Sequence, residues 1–193
     1  MHAGMIASLA AALSLTAGAA HAEIEKYTLD PAHTQVVFKV DRFGLSNTYG
    51  SFAEVSGELM LDEANPEKSS VRARIAVASL RSDNATREGH LKSDNWLDAA
   101  AFPEIIFVST NVAPGDGETA KVTGDLTVHG VTKPVTLDVA LKKIGTDPVS
   151  KKKAAGFSAS ASVNRHDFGV SIAEALIGAE VAIQIETLAI RAE

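Results

Sequence analysis

The chain has 193 residues, 18 Lys plus Arg against 24 Asp plus Glu, a formal net charge of −6 and no cysteine. A hydrophobic share of 46% is too high for a disordered polymer, and an acidic pI near 5.5 denies the clustered positive field that nucleic acid demands. The absence of cysteine excludes disulfides, thiolate nucleophiles, thiolate-held metal clusters and a lipid-modified N-terminal cysteine.

Residues 1–22 contain no Lys, Arg, Asp or Glu, are almost wholly apolar from Met5 to Leu15, and end in the small-x-small pattern Ala20-His21-Ala22. This composition predicts a signal peptide cleaved after Ala22, although its n-region lacks the usual basic residue. Export of a cysteine-free domain, residues 23–193, points to a bacterial periplasm. A chain of that length can bury about 70% of its unfolded surface, so it folds without disulfides.

From there the pattern is strand after strand. Val36, Phe38 and Val40 share one parity while Gln35, Lys39 and Asp41 share the other, the mark of a half-buried strand. Residues 50–61 form the next, with Phe52, Val55, Leu59 and Leu61 apolar and Gly57 read as a bulge or bend; residues 62–69, with Asn65-Pro66, form a turn. Val71, Ala73, Ile75 and Val77 alternate, as do Ile105, Phe107 and Ser109, then Val122, Gly124, Leu126 and Val128. Val135 to Leu141, Phe157 to Val163 and Val181 to Ile185 complete eight strands. Only residues 83–97 break the period, with cap candidates Ser82 and Asp83 and with Arg87, Leu91 and Trp96 at helical spacing. Eight sequential antiparallel strands close as a barrel or pack as a sandwich, and small residues such as those from Gly156 to Val163, all Gly, Ala or Ser but for Phe157 and Val163, serve either an under-filled barrel or closely approaching sheets.

Chemistry-bearing motifs are sparse. His33, His90, His129 and His166 stand on different elements without zincin spacing, and no Gly-x-Ser-x-Gly elbow or phosphate-binding loop occurs. The five lysines from Lys142 to Lys153, around Asp147-Pro148, read as a solvated hairpin tip.

An ordered set of motifs carries a resemblance: Tyr27-x-x-Asp30-x-x-His33, Gly44, Gly50-x-Phe52, Arg87-x-x-His90-Leu91-Lys92-Ser93, Phe102-Pro103-x-Ile105-x-Phe107-x-Ser109, the run from Gly124 to Lys133, and Arg165-x-Asp167-Phe168-Gly169. From about Ile24 to Arg191 the chain resembles the YceI-like family of polyisoprenoid-binding proteins. The resemblance implies an all-β fold, an eight-stranded antiparallel lipocalin-like barrel with one short helical segment near one end. It also implies a periplasmic setting and an apolar tunnel for an isoprenoid lipid such as a quinone or its precursor, with no other cofactor and no metal. Two departures stand at one end of that tunnel. Arg42 replaces a frequent histidine, and Asn95-Trp96-Leu97-Asp98 replaces a pair of phenylalanines.

Parity and resemblance together predict that Val36, Phe38, Val40, Ile75, Val77, Phe107, Leu126, Val128, Leu137, Phe157 and Ile183 line the interior, against the simpler alternative of ordinary core packing. His33, Arg87, His90, Arg165 and Asp167 are the expected polar mouth, where an Arg-to-Asp pair would satisfy a charge held near apolar surface. The expected partner is an isoprenoid or other long-chain lipid, with transient contact to a membrane or membrane protein and a homodimer compatible with the reading. The alternative function is an enzyme acting on such a lipid, with His33 or His90 as general base.

Overall fold

The structure is a computed structural model and describes residues 23–193; the expected signal peptide lies outside the described residues. Eleven strands and one α-helix follow in order: β1 (Glu25–Leu29), β2 (Gln35–Arg42), β3 (Ser46–Phe52), β4 (Val55–Leu61), β5 (Ser70–Ala76), β6 (Leu80–Arg81), α1 (Ala85–Lys92), β7 (Glu104–Pro114), β8 (Thr119–Val128), β9 (Val131–Thr146), β10 (Lys153–Asn164) and β11 (Ile177–Arg191). All pairings are antiparallel, and β1 pairs with β4 on one side and β11 on the other, which closes the sheet.

The eleven segments make eight staves, because β1–β2, β3–β4 and β5–β6 are each one stave interrupted near its middle. The first break follows from Asp30-Pro31: proline has no N–H for the ladder, and the Asp30 carboxylate accepts the Ala32 N–H at 3.0 Å, so a 3-10 turn forms over Pro31–His33. The third break is a 3-10 turn over Val77–Ser79, fixed by the Val77 N–H donating to the Pro103 carbonyl at 2.9 Å. Gly57 is not a bulge, since it stands opposite Ala73 in an unbroken register.

Tracing the staves places α1, the β2–β3 turn, the β8–β9 turn and residues 165–176 at one end, here the upper. The β4–β5, β7–β8 and β9–β10 turns lie at the lower end. The helix is shorter than the sequence spacing predicts, and its cap is Asn84 rather than Ser82 or Asp83: the Asn84 carboxamide oxygen accepts the Arg87 N–H at 2.9 Å. Ser82 contributes through its backbone, donating its N–H to the Glu88 carboxylate at 2.6 Å. The Ser93 hydroxyl donates to the His90 carbonyl at 2.8 Å and ends the helix, after which a turn carries Trp96 and Leu97 back over the barrel.

Packing divides the interior into two halves. The lower half is solid, with Tyr27, Ala155 and Ala189 at 0% exposure beside Leu29 and Leu61, and with Leu59, Ile144 and Phe157 against them. An electrostatic network seals that end. The Tyr27 hydroxyl donates to Glu25 at 2.8 Å, Lys153 bridges Glu25 (2.6 Å) and Glu63, and Arg191 reaches Glu25 at 3.1 Å. Lys152 pairs with Glu193 at 2.9 Å, so two of the hairpin-tip lysines anchor the lower end.

Candidate functional site: an apolar cavity in the upper barrel

The upper half is hollow. A cavity of about 250 Å³ is bounded by inward side chains of the staves and is roofed by Leu91, Trp96, Leu97, Phe168 and Val170 from the segments at that end. Two glycines make the room. A Cβ on Gly50 would come within 2.2 Å of the Phe38 ring, and one on Gly124 within 2.5 Å of the Phe107 ring, so each phenylalanine lies flat against a wall position that has no side chain. Phe38 also meets Phe52 with ring centroids 5.8 Å apart. With glycine replaced by a larger residue, those rings would stand into the lumen.

Nine of the eleven residues expected to line the interior border this cavity: Val36, Phe38, Val40, Ile75, Phe107, Leu126, Val128, Leu137 and Ile183. Two do not. Val77 falls in the 3-10 turn that interrupts its stave, which takes it out of the strand's alternation; it is 1% exposed and packs in the core instead. Phe157 keeps the parity of Val163 in an unbroken register with β11, opposite Thr187, but stands lower on its stave and belongs to the solid lower half. Parity also misses inward residues contributed by irregular segments, notably Leu91, Trp96, Phe168 and Val170, for which no period-two signal exists.

Three polar residues border the cavity, and two of these satisfy each other: the Thr34 and Thr187 hydroxyls share a hydrogen bond at 2.8 Å. The third is Arg165, 7% exposed and stacked over Trp96 with 5.9 Å from its guanidinium carbon to the ring centroid. Its Nε donates to the Gly178 carbonyl at 3.0 Å, Nη1 to Val170 (2.6 Å) and Ile172 (2.9 Å), and Nη2 to Ile177 (2.9 Å). Burial pushes its pKa down, opposed by the field of Glu174, yet a guanidinium stays charged. The expected Arg-to-Asp pair is therefore absent among the described residues. Carbonyl dipoles of the loop before β11 and of the first two residues of that strand replace it, and Asp167 is exposed on the 3-10 turn Arg165–Phe168.

The other expected mouth residues do not converge. His33 sits on the outward side of the β1–β2 break, 68% exposed at its side chain, with Nδ1 2.5 Å from Asp30, while its neighbour Thr34 turns inward. Arg87 donates Nε to the Ser82 hydroxyl at 3.0 Å and Nη2 to the Ser82 carbonyl, which braces the start of α1. His90 is exposed on the helix. Neither histidine proposed as a general base borders the cavity, and among the described residues no cluster of three His, Asp or Glu has the geometry for a metal ion. Phe102 packs edge-on to His129 at 4.9 Å beside the β8–β9 turn, outside the cavity.

A second concavity of about 820 Å³ lies on the outer face across β2, the end of β7, β8, β9, β10 and β11. Its lining mixes Gln35, Lys121, Asp138, Ser158, Gln184 and Glu186 with small residues, and these polar groups face water. Of these two concavities, the one inside the barrel meets the condition for strong lipid binding, exclusion of water from apolar surface.

Comparison with known proteins agrees with this architecture. The model of the YceI-like domain matches residues 27–189. A UPF0312 protein from Pseudomonas putida is 40% identical over 156 residues, 81% of each chain. The crystal structure of BcnA from Burkholderia cenocepacia superposes with a TM-score of 0.75 at 26% identity, covering 83% of this chain and 98% of that one. A polyisoprenoid-binding domain from Saccharophagus degradans, implicated in plant cell wall breakdown, shares the fold with a TM-score of 0.64 at 13% identity, over 88% of this chain and all of its own. A closed eight-stave barrel hollow at its helix-bearing end, matched over nearly its whole length by one family model, makes this chain a member of the YceI-like family.

Proposed function

We propose that the upper cavity binds the chain of an isoprenoid lipid and that the protein is a carrier or store for it, not a catalyst. The observation that carries the reading is the interior itself: a cavity of about 250 Å³ whose walls are apolar apart from one threonine pair and one buried arginine. An apolar cavity of about 150 Å³ accommodates benzene, so by proportion this one holds about ten carbons, or two isoprene units. At about 0.8 kcal/mol per methylene-sized group, ten carbons contribute roughly 8 kcal/mol before the cost of association, more than any single polar contact supplies. The chain therefore sets the affinity.

A longer tail needs more room than this, and the roof is the part able to supply it. Leu91, Trp96 and Leu97 come from a single 22-residue connection between β6 and β7, not from the hydrogen-bonded wall. Arg165 supports a polar head group at the same end: four of its five N–H groups are engaged by carbonyls, leaving one on Nη2 for a quinone or other head-group oxygen. The likeness to a polyisoprenoid-binding domain supports the class of cargo, and the apolar segment at residues 1–22 supports passage through a periplasm. Among the described residues no carboxylate or histidine stands on the cavity wall, which supports binding over catalysis.

The test is mass spectrometry of organic extracts from the purified protein, before and after prolonged incubation. An isoprenoid lipid recovered unchanged in stoichiometric amount is the expected result. A straight-chain fatty acid would redefine the cargo, and conversion of the lipid during incubation would replace the carrier by an enzyme.

A further inference from the structure

The barrel's upper rim carries an apolar surface of its own, distinct from the cavity wall. Leu45 at the tip of the β2–β3 turn is 86% exposed and Phe43 beside it 45%; Leu176 and Ile172, from the loop before β11, are 49% and 42% exposed. The two loops are tied together, since the Phe43 N–H donates to the Leu176 carbonyl at 3.2 Å. Phe43 and Gly44 both have positive φ, 61° and 68°, a tight left-handed corner that holds Phe43 and Leu45 out from the barrel. The Asp41 carboxylate accepts the Gly44 N–H at 2.7 Å and fixes that corner.

We propose that this rim is the surface by which the barrel docks on a lipid membrane, with Leu45, Phe43, Ile172 and Leu176 entering the interface. The proposal rests on the lipid-cavity reading and names the partner from which the same site is loaded. Four observations single out a membrane. The patch adjoins the cavity: Val40 and Ile177, next to the two loops, border it, so a tail leaving a bilayer at this rim meets apolar wall at once. The patch is also too small for a stable protein partner. Four side chains between about half and nine-tenths exposed offer roughly 400 Å², against about 800 Å² per partner in a standard protein interface. Below the tip the hairpin grades into aromatic and basic groups, with the Arg42 guanidinium 4.6 Å over the Phe43 ring and with Lys39 paired across the strands with the 58% exposed Tyr49. An apolar tip above an aromatic and cationic collar matches the layering of a bilayer interface, where aromatic rings and snorkelling bases sit at head-group depth. Finally, Asp41, Glu174 and Asp167 offset Arg42 and Lys39 on the same rim, so attachment depends on apolar insertion and not on lipid charge.

The test is flotation of residues 23–193, which contain every strand and the helix of the barrel, with phosphatidylcholine vesicles in 0.1 and 0.5 M NaCl. Each variant is also titrated with geraniol, without vesicles, by the fluorescence of Trp96. The expected result is that wild type floats at both salt concentrations, that the double variant Leu45→Asp, Leu176→Asp loses at least tenfold in vesicle binding, and that it keeps geraniol binding within twofold. Val149, equally exposed at 88% on the lower β9–β10 turn, supplies the control: Val149→Asp should float as wild type does. Failure of wild type to float, flotation of the double variant at wild-type level, equal loss in Val149→Asp, or flotation abolished by salt each overturns the proposal. Vesicle binding that follows the expected pattern without any geraniol signal would leave the docking surface standing and remove the cavity reading instead.

Discussion

Gly50 decides how much of the barrel is empty. It stands opposite Phe38 in the β2–β3 pairing, and the three atoms nearest to its absent Cβ are all in the Phe38 ring, the closest at 2.2 Å. A methyl group there would have to turn a rigid ring off the wall, and the free direction is the cavity. Gly50→Ala should therefore reduce affinity for an isoprenoid alcohol at least tenfold, since a ring in a 250 Å³ space displaces several carbons of ligand, while overpacking costs about 1–3 kcal/mol of stability. Calorimetric titration beside thermal unfolding separates the two effects. Unchanged affinity would mean that the ligand lies elsewhere. In the sequence Gly50 and Gly124 stand as motif residues of the resemblance, and nothing in it says that a phenylalanine on the neighbouring stave lies over each.

At the scale of elements, the loop between β10 and β11 is held by one side chain. Arg165 gathers the carbonyls of Val170, Ile172, Ile177 and Gly178, four acceptors spread over nine residues, so the loop's path over the cavity is drawn around a guanidinium. Arg165→Met keeps the volume and the apolar stem but leaves those acceptors without partners. At about 1–3 kcal/mol for each buried group left unsatisfied, and with water reaching some of them, the loss should be about 3 kcal/mol or more. Hydrogen exchange should rise first in residues 166–178, and Arg165→Lys should recover less than half, because an ammonium cannot span the fork. An Arg165→Met variant that melts as wild type does would show that packing alone holds the loop. The helix, by contrast, is fastened by Asn84, Ser82 and Glu88 at its first turn, and Arg87 braces that turn without bordering the cavity.

For the whole molecule, stability rests on the solid lower half, and its pH dependence follows from the groups that seal it. Burial and the Glu25 carboxylate raise the Tyr27 hydroxyl from 10.0 to about 12, and hydrogen bonds from Lys153 hold the Glu25 carboxyl below its ordinary 4.5. The folded state keeps the Tyr27 proton that the unfolded chain has released, so this stabilisation is complete below pH 10 and is lost as pH rises from 10 to about 12. A shift of that size corresponds to about 2 kcal/mol after allowance for partial solvation. Lys153, raised by Glu25 and Glu63, adds loss in the same direction from its ordinary 10.5 upward. On the acid side Glu25 stabilises above its ordinary 4.5, and that share is lost as pH falls below it. Urea unfolding between pH 8 and pH 12 should show the alkaline decline in wild type and a shallower one in Tyr27→Phe; equal slopes would remove Tyr27 from the account.

Alternation by itself determined the all-β class, because a half-buried strand must put its apolar residues on one parity whatever its neighbours are, and eight such runs appear in eight staves; it left barrel and sandwich open, and the family resemblance supplied the barrel. Parity and resemblance together also named nine positions that border the cavity, all in regular strand where parity fixes the face; whether that face meets a cavity or a packed core was left open. Only the tertiary structure decided where the barrel is hollow and where it is filled. That depends on which side chains of distant staves meet at one height, such as Tyr27 with Ala155 and Ala189 below and Phe38 with Gly50 above. It decided as well that Val77 and Phe157 leave the lining, since a 3-10 turn takes Val77 out of the alternation and Phe157, though on the same parity as Val163, stands at the height of the filled half. Arg165 was legible as a charge near apolar surface, but its partners were not: they are main-chain carbonyls, which every residue carries and no sequence distinguishes.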